Sequence, residues 1–350
     1  MKVTVGNISL VLHFLSFFGW IQCTAQGEQH PHCTVDTREG ETNGVLVPAA
    51  QCTTFREPSK TDDGQNQLVC CPVFRNEPHC GRLSQYEDEF SFDSRETQLD
   101  QFPWAAMILL RRVRKIVCSG SLINSRFVLS AAHCFVAVRG VSKPASDYRV
   151  RLGEWDLGQD EDCMHVRGQY VCNLQQPVDY GVEIIVTHES FERQRRDLLH
   201  DIALLKLTGP VEYGVQIGPA CLPNWSIGVP ETVGQNFTVT GWGRTKSFGG
   251  LKRKYKIEMM GRNVSACVKA YRLQAAEVPR IHLCAGGVFR RDVCHGDSGG
   301  GLLRREANHW VLVGIISFGP YRCGVPLPGV YTNVAYYLDW IQWAIDKSVS

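Results

Sequence analysis

Three short segments of the sequence carry side chains that could together catalyse hydrolysis by a nucleophilic route. Residues 296–300 read Gly-Asp-Ser-Gly-Gly, a glycine-rich turn that would expose the hydroxyl of Ser298. Glycine allows a sharp turn and a close approach by a carbonyl, so the N–H groups of Gly296 and Ser298 could face a developing oxyanion. On its own, this pattern is equally typical of an ordinary tight turn.

A histidine and an aspartate in two other segments could activate that hydroxyl. His133 follows the apolar run Phe-Val-Leu and precedes Cys134, so a neighbouring disulfide could hold it in place as a general base. Asp201 opens the apolar segment 202–207, and a carboxylate at a buried edge needs a partner such as an imidazole. Taken singly, His133 could be a structural histidine and Asp201 a capping residue. The presence of all three groups predicts a catalytic triad.

The order histidine, aspartate, serine is that of the chymotrypsin-like serine proteases, and residues 102–350 resemble a trypsin-like protease domain. The motifs that carry the resemblance are Phe-Pro-Trp at 102–104, Ser-Ala-Ala-His-Cys at 130–134, Asp-Ile-Ala-Leu-Leu-Lys-Leu at 201–207, Gly-Trp-Gly at 241–243, Asp-Ser-Gly-Gly at 297–300 and Pro-Gly-Val-Tyr at 328–331. The resemblance implies a serine-type endopeptidase that works through an acyl-enzyme. The mechanism so implied has Ser298 as the nucleophile, His133 as the general base and Asp201 as the group that orients the imidazole.

The same resemblance implies a preference for basic substrates. Asp292 stands where trypsin-like enzymes place the base of the primary specificity pocket, and a carboxylate there favours Arg or Lys. Gly319 and Gly329 match the pocket walls, and Ser317 belongs to the segment expected to pair with the substrate backbone.

The elements that must position these residues are predicted to be short β-strands. From residue 102 onward, β-rich runs alternate with turns, which is typical of a barrel or a sandwich. The periodicity of residues 336–345 predicts a closing amphipathic helix. With the resemblance, the expected fold class is all-β: two packed antiparallel β-barrels of the chymotrypsin type with a C-terminal helix. The predicted strands are 105–110, 121–129, 148–152, 182–187, 202–207, 237–240, 310–317 and 329–334.

Residues 1–25 are predicted to be a signal peptide, which makes the protein secreted and extracellular. Lys2 provides a positive charge, the run 8–20 is mostly apolar, and small residues precede Gln26. The alternative is a membrane anchor. The apolar run is interrupted by His13 and is shorter than the ~20 residues that cross a bilayer, so the signal peptide is favoured.

Residues 28–72 are polar and rich in turn formers, so disulfides must hold them together. This segment resembles the clip domain that precedes protease domains in arthropod blood cascades, and the adjacent Cys70 and Cys71 are its most specific mark. It has four of the six cysteines of such a module, and the two absent ones pair with each other in the family. The alternative is an unrelated disulfide-knit pro-segment.

The clip-like segment implies a role in innate immunity, melanisation or Toll-type signalling. The partners so implied are protein substrates, among them another zymogen, an upstream activating protease and serpin-type inhibitors. The net charge of +2, with both signs mixed, gives no indication of nucleic acid or a membrane as a partner.

The cysteine count fits an oxidising compartment, because removal of Cys23 from the fifteen cysteines leaves an even number. Sequons for N-glycosylation begin at Asn224, Asn236 and Asn263. The disulfides proposed from the resemblance are Cys33–Cys70, Cys52–Cys71, Cys80–Cys221, Cys118–Cys134, Cys163–Cys172, Cys267–Cys284 and Cys294–Cys323.

No cofactor is required for this chemistry, and no metal ligand set is predicted. Residues 153–163 form an acidic loop in which calcium is conceivable, since related proteases often bind it there. Solvated charge is the favoured interpretation of the loop.

Residues 73–101 are predicted to be an exposed linker that contains an atypical activation region. The family is activated by a cut before an Ile-Val-Gly-Gly-like segment, and the new ammonium pairs with the aspartate before the catalytic serine, here Asp297. The matching register holds Ser-Phe-Asp-Ser at 91–94, with no Lys or Arg before it. A cut at Arg95 or Arg82 would leave a terminus that is too short or too long.

This departure from the family matters because a buried Asp297 carboxylate without a cation costs several kcal/mol. Three interpretations stand. The chain is an active protease with an unusual trigger, a silent or zymogen-locked regulator that keeps the triad, or the product of a misjoined exon near residues 81–101.

Overall fold

The computed structural model divides the chain into two units, residues 1–75 with 223–230 and residues 76–222 with 231–350. At residues 2–72, 166, 244–245 and 249–250 it describes the backbone only. The described residues are 2–5, 8–11, 22–24, 32–37, 40–48, 68–72, 74, 76–86, 95–113, 115–137, 140–166, 168–172, 174–223, 232–245, 249–250, 252–273, 281–288, 297–320 and 325–349.

The first unit contains a six-stranded sheet with the strand order β2-β1-β3-β4-β5-β6. Neighbouring strands are antiparallel except β1 and β3, which are parallel. The predicted signal peptide and the predicted clip-like module both fall in this unit, and both stay predictions. The strands are β1 (Lys2–Val5), β2 (Ile8–Val11), β3 (Gln22–Thr24), β4 (His32–Thr37), β5 (Gly40–Pro48) and β6 (Leu68–Pro72).

The second unit contains two closed antiparallel barrels, as the sequence predicted. The first barrel has the order β10-β13-β14-β9-β8-β7. In β10, Tyr148, Val150 and Leu152 are buried and alternate with partly exposed arginines, which is the period of two that a barrel strand requires. Its strands are β7 (Ala105–Leu110), β8 (Ile116–Leu122), β9 (Phe127–Ser130), β10 (Tyr148–Leu152), β13 (Val178–Thr187) and β14 (Ala203–Leu207).

The prediction of one strand over 121–129 is wrong, because the chain turns between β8 and β9. Asn124 Oδ1 accepts hydrogen bonds from the backbone N–H groups of Arg126 and Phe127, both at 2.9 Å. An asparagine that bonds to the backbone two and three residues on gives the chain an alternative to a continuous strand.

The second barrel has the order β15-β18-β19-β22-β21-β20. Three of these strands, β18, β19 and β20, were not predicted. The outward residues of β18 include Lys256 and Glu258, which weakened its apolar pattern. Its strands are β15 (Asn236–Gly241), β18 (Tyr255–Arg262), β19 (His282–Gly286), β20 (Gly301–Glu306), β21 (His309–Phe318) and β22 (Pro328–Asn333). Two ribbons lie outside the barrels: β11 (Cys163–Val166) with β12 (Gln169–Cys172), and β16 (Arg244–Thr245) with β17 (Gly249–Gly250).

Two α-helices accompany the second barrel. The unpredicted α1 (Val264–Tyr271) begins after Asn263, whose side chain accepts a hydrogen bond from Ser265 N. The predicted closing helix is α2 (Leu338–Val349), which starts two residues later than expected because Val334–Tyr337 form a 3₁₀ turn. Among the described residues, no helix is long and apolar enough to cross a membrane.

The end of the predicted linker is not exposed. Residues 97–101 are all buried, and Leu99 packs with Trp155 and Met164. Backbone hydrogen bonds join Thr97 N to Lys254 O at 3.1 Å and run from Lys256 N to Arg95 O at 2.8 Å. The segment from Arg95 onward is therefore part of the protease unit.

Four of the proposed disulfides are formed in the second unit: Cys80–Cys221, Cys118–Cys134, Cys163–Cys172 and Cys267–Cys284. The side chains needed for Cys33–Cys70, Cys52–Cys71 and Cys294–Cys323 lie outside the described residues.

Candidate active site

Strand pairing brings His133 and Asp201 together. In the antiparallel pair β9 and β14, Ser130 lies opposite Ala203. The chain that leaves β9 and the chain that enters β14 therefore meet at one edge of the first barrel. His133 lies in the 3₁₀ turn Ala132–Cys134, which follows the end of β9 after one intervening residue, and Ile202 alone separates Asp201 from β14.

The Asp201 carboxylate is fully buried and receives three hydrogen bonds. One oxygen accepts from His133 N at 2.8 Å, and the other contacts His133 Nδ1 at 2.7 Å and Ser317 Oγ at 2.5 Å. Burial alone would raise the pKa of this carboxyl, but the charge and hydrogen bonds of His133 and the hydrogen bond of Ser317 together hold the pKa below its usual value. An ionised carboxylate in this place fixes the imidazole with its proton on Nδ1 and leaves Nε2 as the basic nitrogen.

A β-bulge directs Ser317 at Asp201. Between β21 and β22, Ile316 pairs with Tyr331 and Phe318 with Val330, so Ser317 is the extra residue. A bulge turns a side chain away from its regular direction. Ser317 was expected beside the substrate backbone, and the structure adds its hydrogen bond to the triad. Thr332 Oγ1, which the sequence did not single out, donates to Asp201 O at 2.8 Å.

The Ser298 turn crosses from the second barrel to the first. Ser119 N of β8 donates to Ser298 O at 2.8 Å, and Cys134 Sγ lies 4.0 Å from the same oxygen. Because Cys134 directly follows His133 and forms a disulfide with Cys118, this contact places the serine turn beside the histidine turn. Ser298 is partly exposed, as a nucleophile must be to meet a substrate.

Gly299 allows this close approach. Its φ is +82°, in the left-handed region, and a Cβ built there would overlap Ser130 Oγ and lie 2.5 Å from Ser119 O. Gly299 N donates to Ile316 O at 2.9 Å, so the turn is fastened to β21 as well.

Asp297 is enclosed in a pocket shaped around its carboxylate. Its side chain is buried and accepts hydrogen bonds from Gly243 N at 3.0 Å and from Tyr255 Oη at 2.6 Å. A Cβ at Gly241 or Gly243 would overlap the carboxylate oxygens. The Gly-Trp-Gly motif, used above only for recognition, therefore makes room for Asp297.

The predicted specificity pocket is described only in part. Gly319 and Gly329 face each other, since a Cβ on Gly319 would lie 4.0 Å from the Cα of Gly329. Asp292, Gly296 and the sequon at Asn224 lie outside the described residues. The other sequon residues, Asn236 and Asn263, are exposed.

The acidic loop is not simply solvated, so that interpretation is wrong for its buried members. Glu154, Asp156 and Asp162 are buried, and two of these carboxylates are held by guanidinium groups. Arg151 Nη1 lies 3.2 Å from Glu154 Oε2, and Arg253 Nε lies 3.0 Å from Asp156 Oδ2. Oxygen atoms that calcium would need are thus engaged by the protein's own cations, and calcium binding stays a prediction.

Asp162 is expected to destabilise the fold at neutral pH. Burial, and next the charge of Glu154, raise its pKa from 3.8 to about 6. Between these pH values the folded chain keeps a proton that the unfolded chain releases, so stability falls as the pH rises from 4 to 6 and stays lower above. The Asp162→Asn variant can still accept the 3.1 Å hydrogen bond from Asp156 N. It should melt about 2–4 °C above the wild type at pH 7 and equal it at pH 4.

Differential scanning fluorimetry across this pH range measures the effect. Asp160→Asn, an exposed position of the same loop, is the matched control and should not change the melting temperature. If Asp162→Asn raised the melting temperature by the same amount at pH 4 and at pH 7, the titration of Asp162 would not be the cause.

Comparisons with known proteins agree with this geometry. The family model described as Trypsin matches residues 92–341. CLIP domain-containing serine protease B14 of Anopheles gambiae is 38% identical over 316 residues, which cover 85% of this chain and 81% of the relative. Phenoloxidase-activating factor 1 of Holotrichia diomphalia is 39% identical over 326 residues, 86% of each chain. Melanization protease 1 of Drosophila melanogaster is 38% identical over 278 residues, 76% of this chain and 67% of the relative.

Proposed function

Because the chain belongs to the trypsin family, and within it to the clip-domain serine proteases of arthropods, we propose that it is a secreted endopeptidase that cleaves after Arg or Lys. It acts in an extracellular cascade whose output is melanisation or a related immune response. The relatives named for phenoloxidase activation and melanisation support the cascade.

The observation that carries the proposal is the buried network around Asp201 at the Ser298 turn. In the proposed mechanism, His133 Nε2 takes the proton of Ser298 as the hydroxyl oxygen attacks the scissile carbonyl. Asp201 stabilises the imidazolium that forms. The N–H groups of Ser298 and Gly296 bind the oxyanion, His133 returns the proton to the leaving amine, and water then hydrolyses the acyl-enzyme by the same route.

The partners that fit this chemistry are proteins. An upstream protease cuts the chain, another zymogen is cleaved by it, and serpin-type inhibitors trap its acyl-enzyme. The Cys80–Cys221 disulfide would keep the N-terminal unit covalently attached after any cut that follows Cys80. Glycans on exposed Asn236 and Asn263 would suit a secreted protein.

Replacement of Asp292 should remove the preference for basic residues. A carboxylate at the base of the pocket pairs with a guanidinium or ammonium group, and its loss leaves the substrate's charge without a partner. We expect Asp292→Ser to lower kcat/KM for an Arg fluorogenic peptide by about 10³-fold or more, with a much smaller change for a Leu peptide.

The test uses the full-length secreted protein, before and after treatment with candidate activating proteases. Hydrolysis of Arg and Lys peptides, and labelling by a fluorophosphonate probe that Ser298→Ala abolishes, are the expected results. A chain that hydrolyses no peptide under any cleavage condition would instead be the zymogen-locked regulator. Equal hydrolysis of Leu and Arg peptides would overturn the specificity alone.

A further inference from the structure

The pocket around Asp297 holds its carboxylate with neutral donors from two different elements. Gly243 N, which follows β15, donates to one oxygen, and the phenol of Tyr255, at the start of β18, donates to the other. Both side chains of the Tyr255–Asp297 pair are 2% exposed. Each carboxylate oxygen therefore has a fixed donor, and the pair is shielded from water.

The position of Asp297 determines the position of the nucleophile. Asp297 directly precedes Ser298, and its own carbonyl accepts a hydrogen bond from Gly300 N at 2.8 Å, which closes the serine turn. A group that fixes the Asp297 side chain thus fixes one end of that turn, while Ser119 and Ile316 hold the rest.

Tyr255 is itself held by the chain that follows the activation region. Glu96 forms a β-bridge with Tyr255, and flanking backbone hydrogen bonds join Thr97 to Lys254 and Arg95 to Lys256. Backbone hydrogen bonds therefore hold the residue on each side of Tyr255. A cut before Arg95 would leave these hydrogen bonds in place, and with them the contact of the phenol with Asp297.

We propose that Tyr255 is a positioning residue that, with Gly243, holds Asp297 and hence Ser298 in catalytic register without an inserted N-terminal ammonium. The inference rests on the proposed function, in which Ser298 is the nucleophile. It explains how a chain with Ser-Phe-Asp-Ser at 91–94 keeps a formed serine turn.

A phenol and an ammonium differ in how they respond to pH. Burial, and next the charge of Asp297, raise the pKa of Tyr255 well above its usual value of 10.0. An α-amino group loses its proton near pH 8 when it is free, and at a higher pH when it is paired with a carboxylate, because the opposite charge favours the ammonium. The titratable groups next to Tyr255 in the chain are Lys256 and Lys254, and burial lowers the pKa of Lys254 to about 8. The ammonium of Lys254 interacts with Asp100, Asp162 and Glu154, whereas Glu96 lies across the bridge from Tyr255 and Asp297 receives the phenol hydrogen bond. A serine turn held by Tyr255 should therefore survive at a pH that would release an ammonium.

The experiment measures the second-order rate of fluorophosphonate labelling of the uncut full-length protein. We expect the wild type to be labelled, with no fall in rate between about pH 8 and 10. Carbamylation of α-amino groups by cyanate at neutral pH should leave the rate unchanged. Tyr255→Phe should lower the rate at least about tenfold, since one buried carboxylate oxygen loses its donor.

Tyr180→Phe is the control. This tyrosine lies on β13 of the first barrel, where its hydroxyl hydrogen-bonds to the backbone of Glu212, so removal of that hydroxyl should leave the labelling rate unchanged. If Tyr255→Phe does not fold, the inference is tested on the wild type alone, by the pH dependence of its labelling rate and by the effect of carbamylation on that rate.

An uncut wild type that is not labelled, a rate lost on carbamylation, or a folded Tyr255→Phe that is labelled like the wild type would each overturn the inference. Labelling of Ser298 without hydrolysis of any peptide would overturn the proposed function and leave the role of Tyr255 standing.

Discussion

Replacing Asp201 with asparagine is expected to lower kcat by about 10⁴-fold while changing KM little. The amide would place an NH₂ group where a carboxylate oxygen now contacts both His133 Nδ1 and Ser317 Oγ. The asparagine NH₂ group would then face the Nδ1 proton of His133 and the hydroxyl of Ser317, and all three groups are donors. The imidazole would escape this conflict by moving its proton to Nε2, which can no longer accept the proton of Ser298.

The loss should therefore appear in the chemical step. Single-turnover kinetics with an Arg peptide, together with the rate of fluorophosphonate labelling, would separate it from substrate binding. The fold should persist, because the amide oxygen can still accept the 2.8 Å hydrogen bond from His133 N.

Asp197→Asn is the control for this variant. Asp197 lies in the same loop, and its carboxylate binds Arg195 through two hydrogen bonds of 2.9 Å, away from the triad. Its kcat should stay within about twofold of the wild type. If Asp201→Asn retained a similar kcat, the orienting role of Asp201 would be wrong.

The triad residues could be proposed from sequence because each one stands inside a run of neighbouring residues that limits its surroundings. His133 has a strand before it and Cys134 after it, and Ser298 lies among glycines. In the structure, strand pairing brings two of these runs together, since Ser130 lies opposite Ala203 and so joins the histidine turn to Asp201.

The contacts that the sequence did not reveal are those made across the barrel. Tyr255 and Asp297 are 42 residues apart, and Arg253 reaches Asp156 over 97 residues. A hydrophobic period of two or 3.6 residues indicates local conformation only. It does not indicate such a pair, because the path of the chain through the barrel brings the two residues together. For this reason the sequence predicts a solvated acidic loop and gives no indication of the Gly243 and Tyr255 donors around Asp297.

Gly299→Ala should lower kcat/KM by about 100-fold or more. At φ +82° an alanine is strained by ~1–2 kcal/mol, and its Cβ would also overlap Ser130 Oγ and crowd Ser119 O. Ser119 lies on β8 and donates its backbone N–H to Ser298 O, so relief of the overlap must push the serine turn away from the first barrel. The nucleophile would then move relative to His133, which is held by that barrel.

Gly168→Ala separates displacement from backbone strain, because Gly168 has the same φ of +82° and a Cβ there would meet nothing within 4 Å. Both variants should lose similar stability from the left-handed conformation, but only Gly299→Ala should lose activity. Thermal melts and kcat/KM for an Arg peptide, measured on both proteins, decide the matter. A Gly299→Ala enzyme as active as Gly168→Ala would mean that the serine turn tolerates a side chain against β8. The contact between the two barrels would then not set the distance from nucleophile to base.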